Sequence, residues 1–235
     1  MQVQEINQDF NLENVVPFFQ PIMDLNQEGV WGYECLARLI YPGEHIFMPS
    51  DFLYLVEKNA CHGELTQKIF HESAHYFRNR QVNWSINITE QDVLDPQTAV
   101  FLERSLRDYP NVHRITLEIC THTLFTHSEQ FKTFILLGKT LGIQILIDRF
   151  TQPAEQLLKV LDYPIDGVKV ESGAIQALVQ SQPEVMQEVL LKAKGNDALL
   201  IAEHVEDDFT LKTLRNIGIE YGQGFYFSQP APVVA

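Results

Sequence analysis

What this sequence has little of does much of the sorting. Its 235 residues include only 3 cysteines, Cys35, Cys61 and Cys120, odd in number, far apart and in no CxxC pattern. A disulfide framework and a structural zinc site are therefore excluded as organising features, and reduced thiols are the plain reading. Cationic charge is scarce: 17 Lys and Arg stand against 31 Asp and Glu, a formal net charge of −14 with an isoelectric point near 4.9. The basic residues are scattered instead of forming a stripe, which argues against duplex nucleic acid as a partner. An anionic ligand would need local positive charge or bound cations to approach such a surface. No apolar run nears the roughly 18 residues of a membrane span. The opening MQVQEINQDFNLEN lacks both a basic and an apolar leader region, so a cytoplasmic chain with a flexible arm over residues 1–14 is expected.

Residues 15–235 read as one domain, close in length to the roughly 250 residues of a (β/α)8 barrel. Its central unit is Ile143 to Glu171, IQILIDRFTQPAEQLLKVLDYPIDGVKVE. A β-branched run ends at Asp148, a helix-period segment follows, and a second apolar run holds Lys169. A carboxylate at the end of one parallel strand and an ammonium at the end of the next is how a barrel presents chemistry at its carboxyl face.

Other strands end alike. VVPFFQPI (Val15 to Ile22) and VWGYECLARL (Val30 to Leu39) are joined by the short polar link MDLNQEG, which makes them an antiparallel hairpin; if it is symmetric about Gln27, Gln20 faces Glu34. VNWSINI carries Asn87, ITLEIC carries Glu118, LLIAEHV carries Glu203, and YGQGFYF, a last strand from Tyr221 to Phe227, carries Gln223. Helical segments lie between: Pro49 to Asn59, Glu64 to Arg80, a helix started by Asp95 and Pro96, one with Thr126 and Glu129 as a capping box and Gly142 as its stop, a stretch from Ser172 broken near Pro183, and one ending at Gly218. His71 and His75 are four apart on a helix face, a metal-compatible spacing, but no ligand-rich context surrounds them and solvated histidines are expected.

The fold expected is an α/β, modified TIM (β/α)8 barrel with an antiparallel first strand. Eight polar residues would form its functional ring. Ion pairs or caps at strand ends would explain any one of them, but poorly explain eight in step. Glu34, Asn87, Glu118 and Asp148 are hard oxygen donors that select Mg²⁺ or Mn²⁺ over zinc. With Lys169 and Glu203 beside them, they suit a water held for attack on phosphorus.

FQPIMDL, YECLARL, SINITEQDVLDP, LEICTHT, LIDRF, DGVKVE, IAEHVE and YGQGFYFSQPAP resemble, in order and spacing, the EAL domain family, from about Val16 to Pro232. That family hydrolyses one ester bond of cyclic di-GMP to linear pGpG with two Mg²⁺ or Mn²⁺ ions, on a modified TIM barrel with one antiparallel strand. The resemblance implies that Glu34, Asn87, Glu118 and Asp148 are metal ligands, and that Lys169 holds the catalytic water. It implies that Glu203 and Glu206 support the ions, that Gln20 and Arg38 contact the dinucleotide, and that Gln223 is the last strand's site glutamine. Dimers are common in the family, so a homodimer and a protein partner both stay open.

Three departures fall on the catalytic side. Arg149 stands where family enzymes have a second aspartate, Thr121 stands where they have a second glutamate, and the loop from Thr151 to Gln156 has no glycine. Loss of one ion of two normally removes several orders of magnitude of rate. The favoured reading is a degenerate module that binds cyclic di-GMP as a signalling effector with little or no hydrolysis, Arg149 standing in for a cation and no metal strictly required. A slow Mg²⁺- or Mn²⁺-dependent phosphodiesterase is the alternative. A protein-interaction module without nucleotide is the third reading, and retention of the whole acidic cluster weighs against it.

Overall fold

Each strand position anticipated from an apolar run becomes a barrel strand in the computed structural model, which describes residues 10–41, 45–150 and 152–234. The arm expected over 1–14 falls largely outside these, although Phe10 and Leu12 pack against the core. The polar turn after Asp24 folds β1 (Val15–Asp24) back on β2 (Gly29–Tyr41), and their register places Gln20 opposite Glu34. A three-residue strand, β3 (His45–Phe47), lengthens the outer end of β2. Parallel pairing then runs from β2 through β4 (Asn83–Ile88), β5 (Ile115–Cys120), β6 (Gln144–Phe150), β7 (Gly167–Glu171) and β8 (Leu199–Glu203) to β9 (Tyr221–Gly222). β9 meets β1 antiparallel, with Met23 opposite Gly222, and the barrel closes on eight strands of which the first runs against both neighbours.

The helices wrap the outside: α1 (Pro49–Lys58), α2 (His62–Phe77), α3 (Glu90–Leu94), α4 (Pro96–Leu106), α5 (Thr121–Thr126), α6 (Ser128–Leu141), α7 (Ala154–Val160), α8 (Ser172–Ser181), α9 (Pro183–Gly195) and α10 (Asp208–Ile217). Asp95 caps α4 by accepting the Gln97 N–H, and Gly142 ends α6 in the left-handed region with φ 76°, as their residue types require. Pro183 separates α8 from α9 because it has no N–H for the preceding turn.

Two expectations are corrected. Thr126 and Glu129 form no capping box: Thr126 already ends α5, which starts directly at the end of β5, and α6 begins after His127 with no side-chain cap. The last strand is two residues long instead of seven. The chain leaves the ladder after Gly222 because Val205 N–H turns to the Gln223 carbonyl, which takes Gln223 out of the strand.

The large core lies between sheet and helices, built from residues such as Phe52, Phe70, Trp84, Phe131 and Leu214. A second cluster, Ile22, Leu146 and Ile201, lies apart from it. Leu146 and Ile201 stand two residues before Asp148 and Glu203, and Ile22 two after Gln20 on the reversed strand, so all point into the barrel, Leu146 level with Glu118 and Ile201 level with Lys169, as an apolar patch beneath Asp148 and Glu203. Gly167 makes room for that patch: a Cβ there would meet Leu146 Cδ2 and the Leu199 carbonyl at 2.6 Å. Burying each such side chain contributes about 1.5–3 kcal/mol.

Candidate functional site

Because side chains alternate along a strand, the inward positions beside and above this apolar patch fall to the polar ring. Asn87 is level with Glu118, whereas Asp148 and Glu203 stand one inward step above Glu118 and Lys169. The lower members are buried: Lys169 is 0% exposed, Glu118 1%, Gln223 4% and Glu34 7%.

Lys169 is the centre of the arrangement. Its Nζ lies 2.7 Å from Glu34 Oε2 and 2.7 Å from Glu118 Oε2. Asn87 donates its amide to Glu34 Oε1 at 2.7 Å, and Gln223 donates to Glu34 Oε2 at 2.7 Å and to Gln20 Oε1 at 3.2 Å. Gln20 passes the chain on to the Ser228 carbonyl at 3.2 Å, and Ser85 donates to the other oxygen of Glu118. A buried carboxylate and ammonium tolerate burial only when paired and hydrogen-bonded, and Glu34 meets this fully, whereas Glu118 Oε2 has the charge of Lys169 beside it but no hydrogen bond among the described residues.

The charges are unequal, and the protonation states show it. Four carboxylates, Glu34, Glu118, Asp148 and Glu203, act on one buried ammonium. Burial raises the Glu34 carboxyl, but Lys169 and the hydrogen bonds from Asn87 and Gln223 outweigh it and leave it below its usual value. Burial, then the charge of Glu34, pushes Glu118 well up. Burial and Glu34 raise Asp148 against the pull of Lys169. Burial and the charges of Asp148 and Glu34 push Glu203 up to about 7. Burial opposes charge on Lys169, yet the surrounding carboxylates hold it well above the ordinary lysine value.

Above the ring opens a cavity of about 560 Å³, bordered by Gln20, Glu34, Arg38, Asn87, Asp148, Arg149, Glu203, Glu206 and Gln223 among others. Arg38 is buried beside it, with Nη1 donating to the Ala37 carbonyl at 2.8 Å. Glu206 is exposed at the rim. Arg149 is in the left-handed region at φ 55°, and its side chain is 75% exposed with Nε 3.6 Å from Asp148 Oδ2. Thr121 is buried and donates its hydroxyl to the Asp148 carbonyl at 2.8 Å, so it holds the backbone at this kink. Every ring residue anticipated from the sequence thus borders or underlies one cavity. His71 and His75 are exposed on α2, away from it.

Cavity residues that escaped the sequence reading include Glu171, His204 and Phe225. Glu171 ends β7 and His204 immediately follows Glu203 at the end of β8, which was the available signal.

No group of three His, Cys, Asp or Glu side chains is gathered as a cation cage among the described residues. The donor chemistry nonetheless fits a hard divalent ion. Glu34, Asn87, Glu118 and Asp148 supply oxygen atoms, and Asp148 Oδ1 is buried with no hydrogen-bond partner among the described residues.

Comparison with known proteins settles the family. The EAL domain profile matches residues 3–230. The chain belongs to the EAL domain family. It is 26% identical over 239 residues to the probable cyclic di-GMP phosphodiesterase PdeN of Escherichia coli, covering 98% of this chain and 46% of that protein. It is 27% identical over 233 residues to the EAL-domain protein YkuI of Bacillus subtilis, covering 94% of this chain and 56% of that one. This EAL chain therefore spans about half the length of the curated relatives it matches. The fold agrees with an EAL domain protein from Listeria monocytogenes at TM-score 0.83 and 22% identity, over 99% of this chain and 94% of that one. It agrees with the PaMucR phosphodiesterase in complex with c-di-GMP at TM-score 0.83 and 19% identity, over 99% and 98% of the two chains. The Bacillus subtilis YkuI structure, in complex with c-di-GMP and calcium, matches at TM-score 0.78 and 22% identity, over 100% of this chain and 60% of that one.

Proposed function

We propose that this EAL domain binds cyclic di-GMP in the cavity above the ring and serves as a signalling effector with little or no hydrolysis. The observation that carries this reading is Arg149. A guanidinium sits 3.6 Å from Asp148 at the rim, where it supplies positive charge and cannot ligate a cation. A single Mg²⁺ or Mn²⁺ would be held by Glu34, Asn87, Glu118 and Asp148, and when bound it would polarise a phosphoryl oxygen. Lys169, locked between Glu34 and Glu118, fixes both carboxylates in place. Gln20, Arg38, Gln223 and Glu206 border the space for the nucleotide, and Arg149 pairs with a phosphate. The output partner is a protein, and a second copy of the chain is an alternative partner.

One observation favours a second reading, a slow phosphodiesterase. Glu34, Asp148 and Glu203 all border the cavity, so a water bound there has carboxylates beside it to accept its proton. Incubation with cyclic di-GMP and excess Mn²⁺, followed by chromatography, separates the two. Intact dinucleotide after long incubation supports the effector. Formation of pGpG at a rate that Glu34→Ala abolishes supports the enzyme and overturns the effector reading.

A further inference from the structure

The end of β8 carries an unexplained cost. His204 takes the left-handed conformation at φ 54°, which strains a residue with a Cβ by about 1–2 kcal/mol, and a glycine would relieve it. Strain of this kind persists only where the surroundings impose it, and it clusters where side chains must be aimed. Three hydrogen bonds impose it here. Ser172 donates to the His204 carbonyl at 3.1 Å, Val205 N–H donates to the Gln223 carbonyl at 3.0 Å, and Tyr226 N–H donates to the Val205 carbonyl at 3.0 Å. Gly224 permits the close approach, since a Cβ there would collide with the Val205 backbone.

The strained backbone gains nothing for the fold from its side chain. The imidazole is 68% exposed, makes no hydrogen bond among the described residues, and lies 3.9 Å from the Glu171 carboxylate. It nevertheless borders the site cavity, as does Phe225, 58% exposed, from the loop bonded to the same turn. Of the described non-glycine residues with positive φ, only Arg149 and His204 border that cavity.

We propose that His204 is a ligand-contacting residue, stacking a guanine base of the bound dinucleotide at the cavity mouth with Phe225 as a second apolar wall. This rests on the cyclic di-GMP reading above. The surrounding chemistry selects a base over a phosphate: Glu171, Glu203 and Glu206 border the same side and repel an anion. A neutral purine suits them, and guanine in particular, because its N1–H and exocyclic N2–H₂ donate to carboxylates where adenine offers an acceptor. Imidazole is one of the side chains on which splayed bases stack.

The test measures cyclic di-GMP and cyclic di-AMP affinity by calorimetry for the wild type, His204→Gly and His204→Phe, with melting temperatures for each. Glycine accepts the left-handed backbone, so His204→Gly folds at least as stably as the wild type. The expected result is about tenfold weaker cyclic di-GMP binding in His204→Gly, near wild-type binding in His204→Phe, and weak cyclic di-AMP binding throughout. Wild-type binding with an unchanged His204→Gly affinity, or with no recovery in His204→Phe, overturns the stacking role alone. Equal affinity of the wild type for the two dinucleotides overturns the guanine selection. No wild-type binding of cyclic di-GMP overturns the functional reading, and the stacking role with it.

Discussion

Replacing Lys169 by methionine removes the one cation at the centre of the ring while keeping side-chain length. Lys169 is 0% exposed and lies 2.7 Å from both Glu34 and Glu118. Without it, two buried carboxyls face each other with only Asn87, Gln223 and Ser85 as donors. Breaking a buried ion pair from one side typically costs about 3–5 kcal/mol. For a domain of this size about 1 kcal/mol moves the melting temperature by 2–4 °C, so a fall of roughly 10 °C is expected at pH 8. The deficit should shrink at pH 5. Loss of the ammonium carries the folded-state pKa of Glu34 from below to above the unfolded value and raises that of Glu118, already above it, further, so their neutral forms are tolerated at low pH and the penalty grows as pH rises. Scanning fluorimetry of Lys169→Met across this range is the assay. A melting temperature within 2 °C of the wild type at pH 8 would refute the claim that the ammonium neutralises the ring.

Three further outcomes follow from the geometry. Gly224→Ala would drive a Cβ into the Val205 backbone, so denaturant titration should show a loss of at least about 2 kcal/mol together with weaker cyclic di-GMP binding; unaltered stability would mean the close approach is unimportant. With chelator present, Glu203 has a folded-state pKa raised to about 7, so its contribution is fully present below the unfolded carboxyl value and is lost as pH rises through 7. Melting temperature should therefore fall between pH 5 and pH 8, and a rise would contradict the assignment. Arg149→Asp removes the rim guanidinium, so cyclic di-GMP affinity measured in chelator should drop about tenfold; equal affinity would show that Arg149 plays no part in binding.

Much of the ring was legible because few physical rules decide it. The seven-residue link MDLNQEG leaves the hairpin little freedom, so Gln20 faces Glu34. Apolar runs that end in one polar residue place Asn87, Glu118, Asp148 and Lys169 inward by alternation alone. What escaped was tertiary. LLIAEHV reads as a strand to Val205, and nothing local announces that His204 turns left-handed, because the bonds that impose it come from Ser172 and from residues 223 and 226. The Thr126 and Glu129 pattern is a sound local signal, but α5 had already claimed Thr126. The Ser85 donor is invisible without the fold, and Thr121, legible only as a missing glutamate, gives no sign in sequence that its hydroxyl holds the Asp148 carbonyl.

The central claim, retained nucleotide binding without turnover, is met most directly by calorimetric titration of cyclic di-GMP in Mn²⁺, with the nucleotide recovered afterwards and chromatographed. The account predicts saturable binding of one dinucleotide per chain, weakened by Arg38→Ala, and intact cyclic di-GMP at the end. Absence of binding, or recovery of pGpG from the wild type but not from Glu34→Ala, would contradict it.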